Sequence, residues 1–76
     1  DEFLIIFTDT RIEDAYGIID RLRKNAEKSQ GAGIGITISA GIASMDEKCT
    51  ADEIVARADG ALYKAKQRGK NMVVDY

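Results

Sequence analysis

Adjacent acidic residues at the start of this chain have the chemistry of a metal site. Asp1 and Glu2 stand directly before an apolar run at residues 3–7. Carboxylates at a strand end can hold a hard divalent cation such as Mg²⁺, which completes its coordination shell with water and phosphate oxygens. The alternative is that the acidic pair is simply a solvated chain end. Residue types alone leave both interpretations open.

Basic residues near the other end would suit phosphate. The chain places cations at alternate positions there, namely Lys64, Lys66, Arg68 and Lys70. Lys66 and Lys70 are four apart, so they share one side of a helix if the helix extends that far. The purely structural alternative is that cations near a helix C-terminus are favoured by the helix dipole.

The hydrophobic pattern predicts a strand and a helix before these cations. The apolar run predicts a strand at residues 2–7 that is buried on both faces, as in the middle of a sheet. Thr10 and Glu13 have the spacing of a capping box, which predicts a helix start. The apolar stripe of this helix contains Ile12, Ala15, Ile18, Ile19, Leu22 and Ala26. The charged positions predicted to point away are Glu13, Asp20, Arg23, Lys24, Glu27 and Lys28.

From residue 34 the period changes to two. Isoleucines on one face alternate with small residues on the other up to residue 43, which predicts a second strand. Thr50 and Glu53 repeat the capping box, and an apolar stripe continues towards Gly69, which is predicted to end the helix. A short last strand is predicted at residues 72–76. The order β-α-β-α-β predicts an α/β fold with crossover helices.

Composition narrows the class of protein. The 76 residues make one domain, and the net charge of −2 gives no reason to expect nucleic acid or an anionic membrane as a partner. A single cysteine, Cys49, excludes an intrachain disulfide and fits a reducing compartment, so a cytoplasmic location is expected. No apolar stretch approaches the roughly 20 residues of a membrane span. A central strand at the very start predicts that the chain is a piece of a longer protein.

Three segments, taken in order, resemble one family. Asp-Glu-Phe at 1–3 resembles the end of the Gly-Gly-Asp-Glu-Phe signature of GGDEF domains, the diguanylate cyclases. Thr-Ile-Ser-Ala-Gly-Ile-Ala at 37–43 resembles the second landmark strand of the family. The run at 57–71, with Ala-Asp-Gly-Ala-Leu-Tyr-Lys-Ala-Lys, resembles its closing helix. The resemblance covers the whole chain, so residues 1–76 are expected to be the C-terminal half of a GGDEF domain.

This resemblance implies an activity and roles for particular residues. The family condenses two GTP into cyclic di-GMP with release of pyrophosphate, using Mg²⁺ or Mn²⁺, at a site formed between two GGDEF domains. Asp1 matches a metal ligand of the family. Glu2 matches the carboxylate that binds metal or helps to activate the ribose hydroxyl. Lys66 and Lys70 match phosphate-contacting positions, with Lys70 in place of the usual arginine. Arg21 matches a position that some members use for product inhibition.

The implied fold is the palm-like fold of nucleotidyl cyclases, without its N-terminal strands and helices. Residues that the family uses to recognise guanine, another metal-binding aspartate and the inhibitory Arg-x-x-Asp motif have no counterpart here. The isolated chain is therefore expected to be inactive, and the parent protein to be a cyclase. Two alternatives remain: a degenerate GGDEF module that senses nucleotide or binds a protein, and an unrelated small α/β regulatory domain. Whether the parent is membrane-anchored stays open.

Overall fold

The structure, a computed structural model, describes residues 4–7, 10–28 and 36–76. Two helices and two strands form within these ranges: α1 (Ile12–Lys28), β1 (Ala40–Ile42), α2 (Ala51–Gln67) and β2 (Val73–Asp75). The strands pair in parallel, with the register Ala40 to Val73, Gly41 to Val74 and Ile42 to Asp75. Parallel neighbours need a crossover connection, which α2 supplies. The predicted α/β fold is confirmed.

The two helices lie on opposite faces of this small sheet. Val73 and Val74 of β2 are both buried, although neighbouring side chains in a strand point to opposite faces. Val74 packs with Ala61 and Ala65 of α2, so Val73 points to the face that α1 covers. The hydroxyl of Tyr16 in α1 donates a hydrogen bond to the Val73 carbonyl at 3.2 Å. The result is a helix–sheet–helix sandwich.

Gly41 lets α2 approach the sheet closely. A Cβ atom at this position would lie 2.1 Å from the backbone nitrogen of Leu62 and 2.3 Å from the carbonyl oxygen of Ala58. Only a residue without a side chain fits there. The small-residue face predicted for this strand is therefore the face that α2 covers.

Helix α1 is covered on only part of its predicted apolar stripe. It begins at Ile12, and the Arg11 carbonyl accepts hydrogen bonds from the backbone nitrogens of Asp14 and Ala15 at 3.0 Å. Ala15 and Ile19 are buried, whereas Ile18 and Leu22 are each 48% exposed. Two strands of three residues make too narrow a sheet to cover the whole stripe.

Helix α2 begins as predicted. The backbone nitrogen of Glu53 donates to Thr50 Oγ1 at 3.1 Å, and that of Thr50 donates to Glu53 Oε1 at 3.2 Å. This is a complete capping box, which satisfies two backbone donors at the helix start. Ala61 and Ala65 of the predicted stripe are buried against β2.

The first two predicted strands are absent or shorter in the part of the chain that the structure describes. Residues 4–7, the described part of the predicted strand at 2–7, form no strand, and exposure there ranges from 37% at Phe7 to 78% at Ile6. No backbone hydrogen bond joins them to another described residue, and a strand needs such a partner. The strand predicted from residue 34 is assigned only at Ala40–Ile42, where β2 pairs with it.

Candidate functional site

The two lysines expected to contact phosphate lie in different structural settings. Lys66 is an exposed residue in the last turn of α2 and lines a shallow surface groove with Asp59, Leu62 and Tyr63. The helix ends at Gln67, and Lys70 lies beyond it, also exposed. Because the helix does not extend to Lys70, Lys66 and Lys70 do not share one side of it. The helix stops sooner because the chain enters a left-handed turn.

That turn contains three consecutive residues with positive φ. The φ angles are 117° at Gly69, 64° at Lys70 and 51° at Asn71. The backbone nitrogen of Lys70 donates to the Ala65 carbonyl at 2.9 Å, which is the long hydrogen bond of a Schellman C-cap. Glycine and asparagine adopt this conformation readily, whereas it costs a residue such as lysine about 1–2 kcal/mol. Lys70 therefore has a backbone conformation that is unfavourable for lysine.

Asn71 connects this turn to two other elements. Its backbone nitrogen donates to Ser39 Oγ at 3.0 Å, just before β1. Arg23 Nη1 of α1 donates to the Asn71 carbonyl at 3.3 Å and to its Oδ1 at 3.2 Å. Asn71 Nδ2 donates to the carboxylate of Glu27, also in α1. We call Arg23, Glu27, Ser39 and Asn71 the Asn71 cluster.

Asp20 orients the arginine of this cluster. Arg23 Nε donates to Asp20 Oδ1 at 2.8 Å, and the two side chains are only 16% and 23% exposed. Lys24 also lies 3.4 Å from the Asp20 carboxylate. The hydrogen bond from Arg23 lowers the pKa of Asp20, although desolvation opposes this, and the carboxylate raises the pKa of Arg23. Both groups are held in their charged forms.

The Asn71 cluster was not predicted. Arg23 and Glu27 were expected to point away from the sheet because they lie on the polar side of the helical pattern. That expectation is wrong for Arg23, whose side chain is largely covered and reaches Asn71, whereas Glu27 is exposed as expected and still accepts a hydrogen bond from Asn71. The available signal was Asn71 itself, since asparagine directly after Gly-Lys is a residue type that tolerates a left-handed turn.

The other predicted site residues have a simpler outcome. Asp1 and Glu2 lie outside the described residues, so the metal site they suggest stays a prediction. Among residues 4–7, 10–28 and 36–76, no group of three or more acidic, histidine or cysteine side chains could hold a metal ion. Arg21 is an exposed residue of α1. Within the described part of the chain, neither helix is long and apolar enough to cross a membrane.

Comparison with known proteins defines the class. The family described as "Diguanylate cyclase, GGDEF domain" matches residues 1–72. The chain is 37% identical over 78 residues to Diguanylate cyclase A of Treponema denticola, covering 96% of this chain and 21% of that protein. It is 35% identical over 81 residues both to the probable diguanylate cyclase DgcT of Escherichia coli and to the response regulator PleD of Caulobacter vibrioides. Each match covers 97% of this chain and 18% of the relative.

No solved structure matches the chain. The chain spans about a fifth of the length of the curated relatives it matches. The family match covers nearly all of its residues, and the α/β architecture agrees with it. The chain belongs to the GGDEF family of diguanylate cyclase domains.

Proposed function

We propose that the protein containing this chain condenses two GTP molecules into cyclic di-GMP and releases two pyrophosphates. The observation that carries the proposal is the family match over residues 1–72, which includes both the acidic pair and the basic C-terminal segment. The relatives described as diguanylate cyclases support it. In this proposal residues 1–76 are the C-terminal half of a GGDEF domain.

Asp1 and Glu2 would hold Mg²⁺ or Mn²⁺ in this protein. Their carboxylate oxygens are the ligand type that such hard cations prefer. The bound metal would supply positive charge that stabilises the negative charge developing on the triphosphate. Glu2 also helps to activate the attacking ribose 3′-hydroxyl of the other GTP.

Lys66 and Lys70 contact the phosphate oxygens. Both are exposed in the structure, one at the end of α2 and one in the turn that follows it. An ammonium binds phosphate as a point charge, whereas an arginine forms two parallel hydrogen bonds. Lys70 therefore makes a less directional contact than the arginine it replaces in the family pattern.

Catalysis requires a second GGDEF domain that brings the other nucleotide. The isolated chain is inactive in this proposal, because no residue in it matches the family positions for guanine recognition or the further metal-binding aspartate. Arg21 would contribute to a surface that binds the product. We place the catalytic domain in the cytoplasm, which the reducing environment implied by the lone Cys49 supports.

The test is cyclic di-GMP synthesis by the full-length protein with GTP and Mg²⁺ or Mn²⁺. Product and pyrophosphate are quantified by chromatography, and two pyrophosphates per cyclic di-GMP are expected. Glu2→Ala should abolish synthesis without changing the circular dichroism spectrum. Glu47→Ala, which removes an exposed carboxylate in a turn, is the matched control and should retain synthesis. Near-normal product from Glu2→Ala would refute the catalytic assignment.

The phosphate contacts are tested in the same assay. Lys66→Ala and Lys70→Ala should each raise the KM for GTP about tenfold, the effect of losing one hydrogen bond to a charged group. Lys48→Ala removes an exposed cation in the turn before α2 and should leave the KM unchanged. An unchanged KM in both Lys66→Ala and Lys70→Ala would show that neither lysine contacts substrate.

A further inference from the structure

We infer that Asn71 is a positioning residue for Lys70: its contacts to α1 and to Ser39 hold the left-handed turn from which Lys70 reaches a nucleotide phosphate. The inference rests on the proposed function, since it takes phosphate binding by Lys70 as its premise. It adds a residue, and a connection to α1, that the family resemblance does not assign.

The conformation of Lys70 needs external support. Its φ of 64° lies in the left-handed region, which a side chain with a Cβ disfavours. Such a residue stays in this region only when the surrounding structure fixes its backbone with more contacts than its own preferences oppose. On the N-terminal side, the Lys70 backbone nitrogen is held by the Ala65 carbonyl. On the C-terminal side, the next residue is Asn71.

Asn71 uses all four of its polar groups for long-range hydrogen bonds. Its backbone nitrogen binds Ser39, its carbonyl and Oδ1 accept from Arg23, and its Nδ2 donates to Glu27. The left-handed conformation alone requires none of these side-chain bonds, because glycine would adopt it equally well. The side chain therefore anchors the turn to α1.

The charged side chains of α1 fix the orientation of the Asn71 side-chain amide. Glu27 accepts from the amide nitrogen of Asn71, and Arg23 donates to its oxygens, so only one orientation of the side-chain amide satisfies both. Asp20 binds Arg23 at 2.8 Å and limits where its guanidinium can point. The turn is thus held in one arrangement by a row of side chains on α1.

A purely structural role for Asn71 is the competing explanation, and a double-mutant cycle separates the two. The full-length protein is prepared as Asn71→Ala, Lys70→Ala and the double variant, and kcat and KM for GTP are measured for each. If Asn71 acts through Lys70, Asn71→Ala raises the KM about tenfold, matching the loss of one hydrogen bond to a charged group. In the Lys70→Ala background the same change should have no further effect on KM.

A merely structural role gives a different result. Loss of general stability would lower the amount of active protein and kcat, and its effect would remain in the Lys70→Ala background. Lys28→Ala removes an exposed side chain in the last turn of α1, outside the Asn71 cluster, and should leave both parameters unchanged. Asn71→Gly keeps the left-handed backbone while removing the side-chain bonds, so it carries the test if the alanine variant does not fold. It should also raise the KM, by less than alanine does.

The outcomes distinguish failure of the inference from failure of its premise. A wild-type protein that makes no cyclic di-GMP overturns both the proposed function and the inference. An active protein whose KM rises with Lys70→Ala but not with either Asn71 variant overturns the inference alone. Additive effects of the two alanine substitutions also overturn it. A KM increase that disappears in the Lys70→Ala background supports it.

Discussion

Replacement of Gly41 by alanine should separate α2 from the sheet. The new Cβ would lie 2.1 Å from the Leu62 nitrogen, 2.3 Å from the Ala58 oxygen and 2.8 Å from the Ala61 carbonyl carbon. All three are backbone atoms of α2, which cannot rotate aside as a flexible side chain can. To restore ordinary contact distances the helix must move outward by more than about 1 Å.

The energetic cost follows from that movement. Overpacking a core typically costs about 1–3 kcal/mol, and the backbone clash places Gly41→Ala near the upper limit. The outward shift also pulls Ala61 and Ala65 away from Val74, which is the buried cluster of this layer. We expect a loss of about 3 kcal/mol. Because the chain is proposed to be half of a GGDEF domain, the unit that unfolds in the full-length protein falls in the range of about 150–250 residues, where about 2–4 °C per kcal/mol converts this loss to a melting temperature about 6–12 °C lower.

Two other glycines are matched controls for this prediction. At Gly17 and Gly60, both inside helices, an added Cβ would meet no atom within 4 Å. Alanine at either position should stabilise the fold by about 0.5–1 kcal/mol, because glycine loses more backbone entropy on folding. The same chemical change is therefore expected to have opposite signs at Gly41 and at these positions.

The assay combines thermal unfolding of the full-length protein, followed by circular dichroism, with hydrogen–deuterium exchange. Exchange localises the effect, and the amides of α2 should exchange faster in Gly41→Ala. A melting temperature within about 2 °C of wild type, with unchanged exchange in α2, would refute the reasoning. The close approach of helix and strand would then not be a constraint on residue 41.

Further predictions concern single contacts. Thr50→Ala should remove the capping box and cost about 1 kcal/mol, seen as faster amide exchange in the first turn of α2, whereas Thr50→Ser should restore it. Arg57→Ala should lower the free energy of unfolding by about 0.5–1 kcal/mol, measured by thermal melting, since the Arg57 guanidinium lies 5.2 Å from the centre of the Tyr76 ring. An equal loss in a Tyr76→Leu background would disprove a contribution from this pair. Arg23 lowers the pKa of Asp20 in the folded state, so the ionised Asp20 carboxylate contributes to the free energy of unfolding. This contribution is fully present above the ordinary pKa of 3.8 and is lost as the pH falls through the lowered pKa of the folded state. Unfolding curves between neutral and strongly acidic pH should show this loss in wild type and not in Asp20→Asn.

Local signals in the sequence predicted the helices well. The capping box at Thr50 and Glu53 depends on residues three apart, and the structure contains it. The alternation around Gly41 predicted the small-residue face that α2 covers. The capping box was predictable because residues three apart form it, and the small-residue face was predictable because side chains alternate along a strand.

The strand at residues 73–75 lies where a last strand was predicted, but the strand predicted at residues 2–7 is absent from its described part, and the one predicted from residue 34 is shorter than expected, because strand pairing is not a local property. An apolar run such as residues 4–7 has a high preference for a strand, yet a strand forms only beside another backbone. Among the described residues, pairing joins only Ala40–Ile42 with Val73–Asp75. The Asn71 cluster was missed for a related reason: Arg23 and Asn71 are 48 positions apart, and helical periodicity places Arg23 on the solvent side.

The two candidate phosphate-binding lysines therefore depend on the fold in different ways. Lys66 belongs to α2, whose start is capped locally by Thr50 and whose packing depends on Gly41. Lys70 belongs to a turn that is connected to α1 by the hydrogen bonds that Asn71 accepts from Arg23 and donates to Glu27. A change in α1 can thus displace Lys70 while leaving Lys66 in place, whereas a shift of α2 displaces both lysines, since the Lys70 backbone nitrogen is bonded to the Ala65 carbonyl. If both lysines bind one triphosphate, a displacement of either helix from its face of the sheet should lower the affinity for the nucleotide.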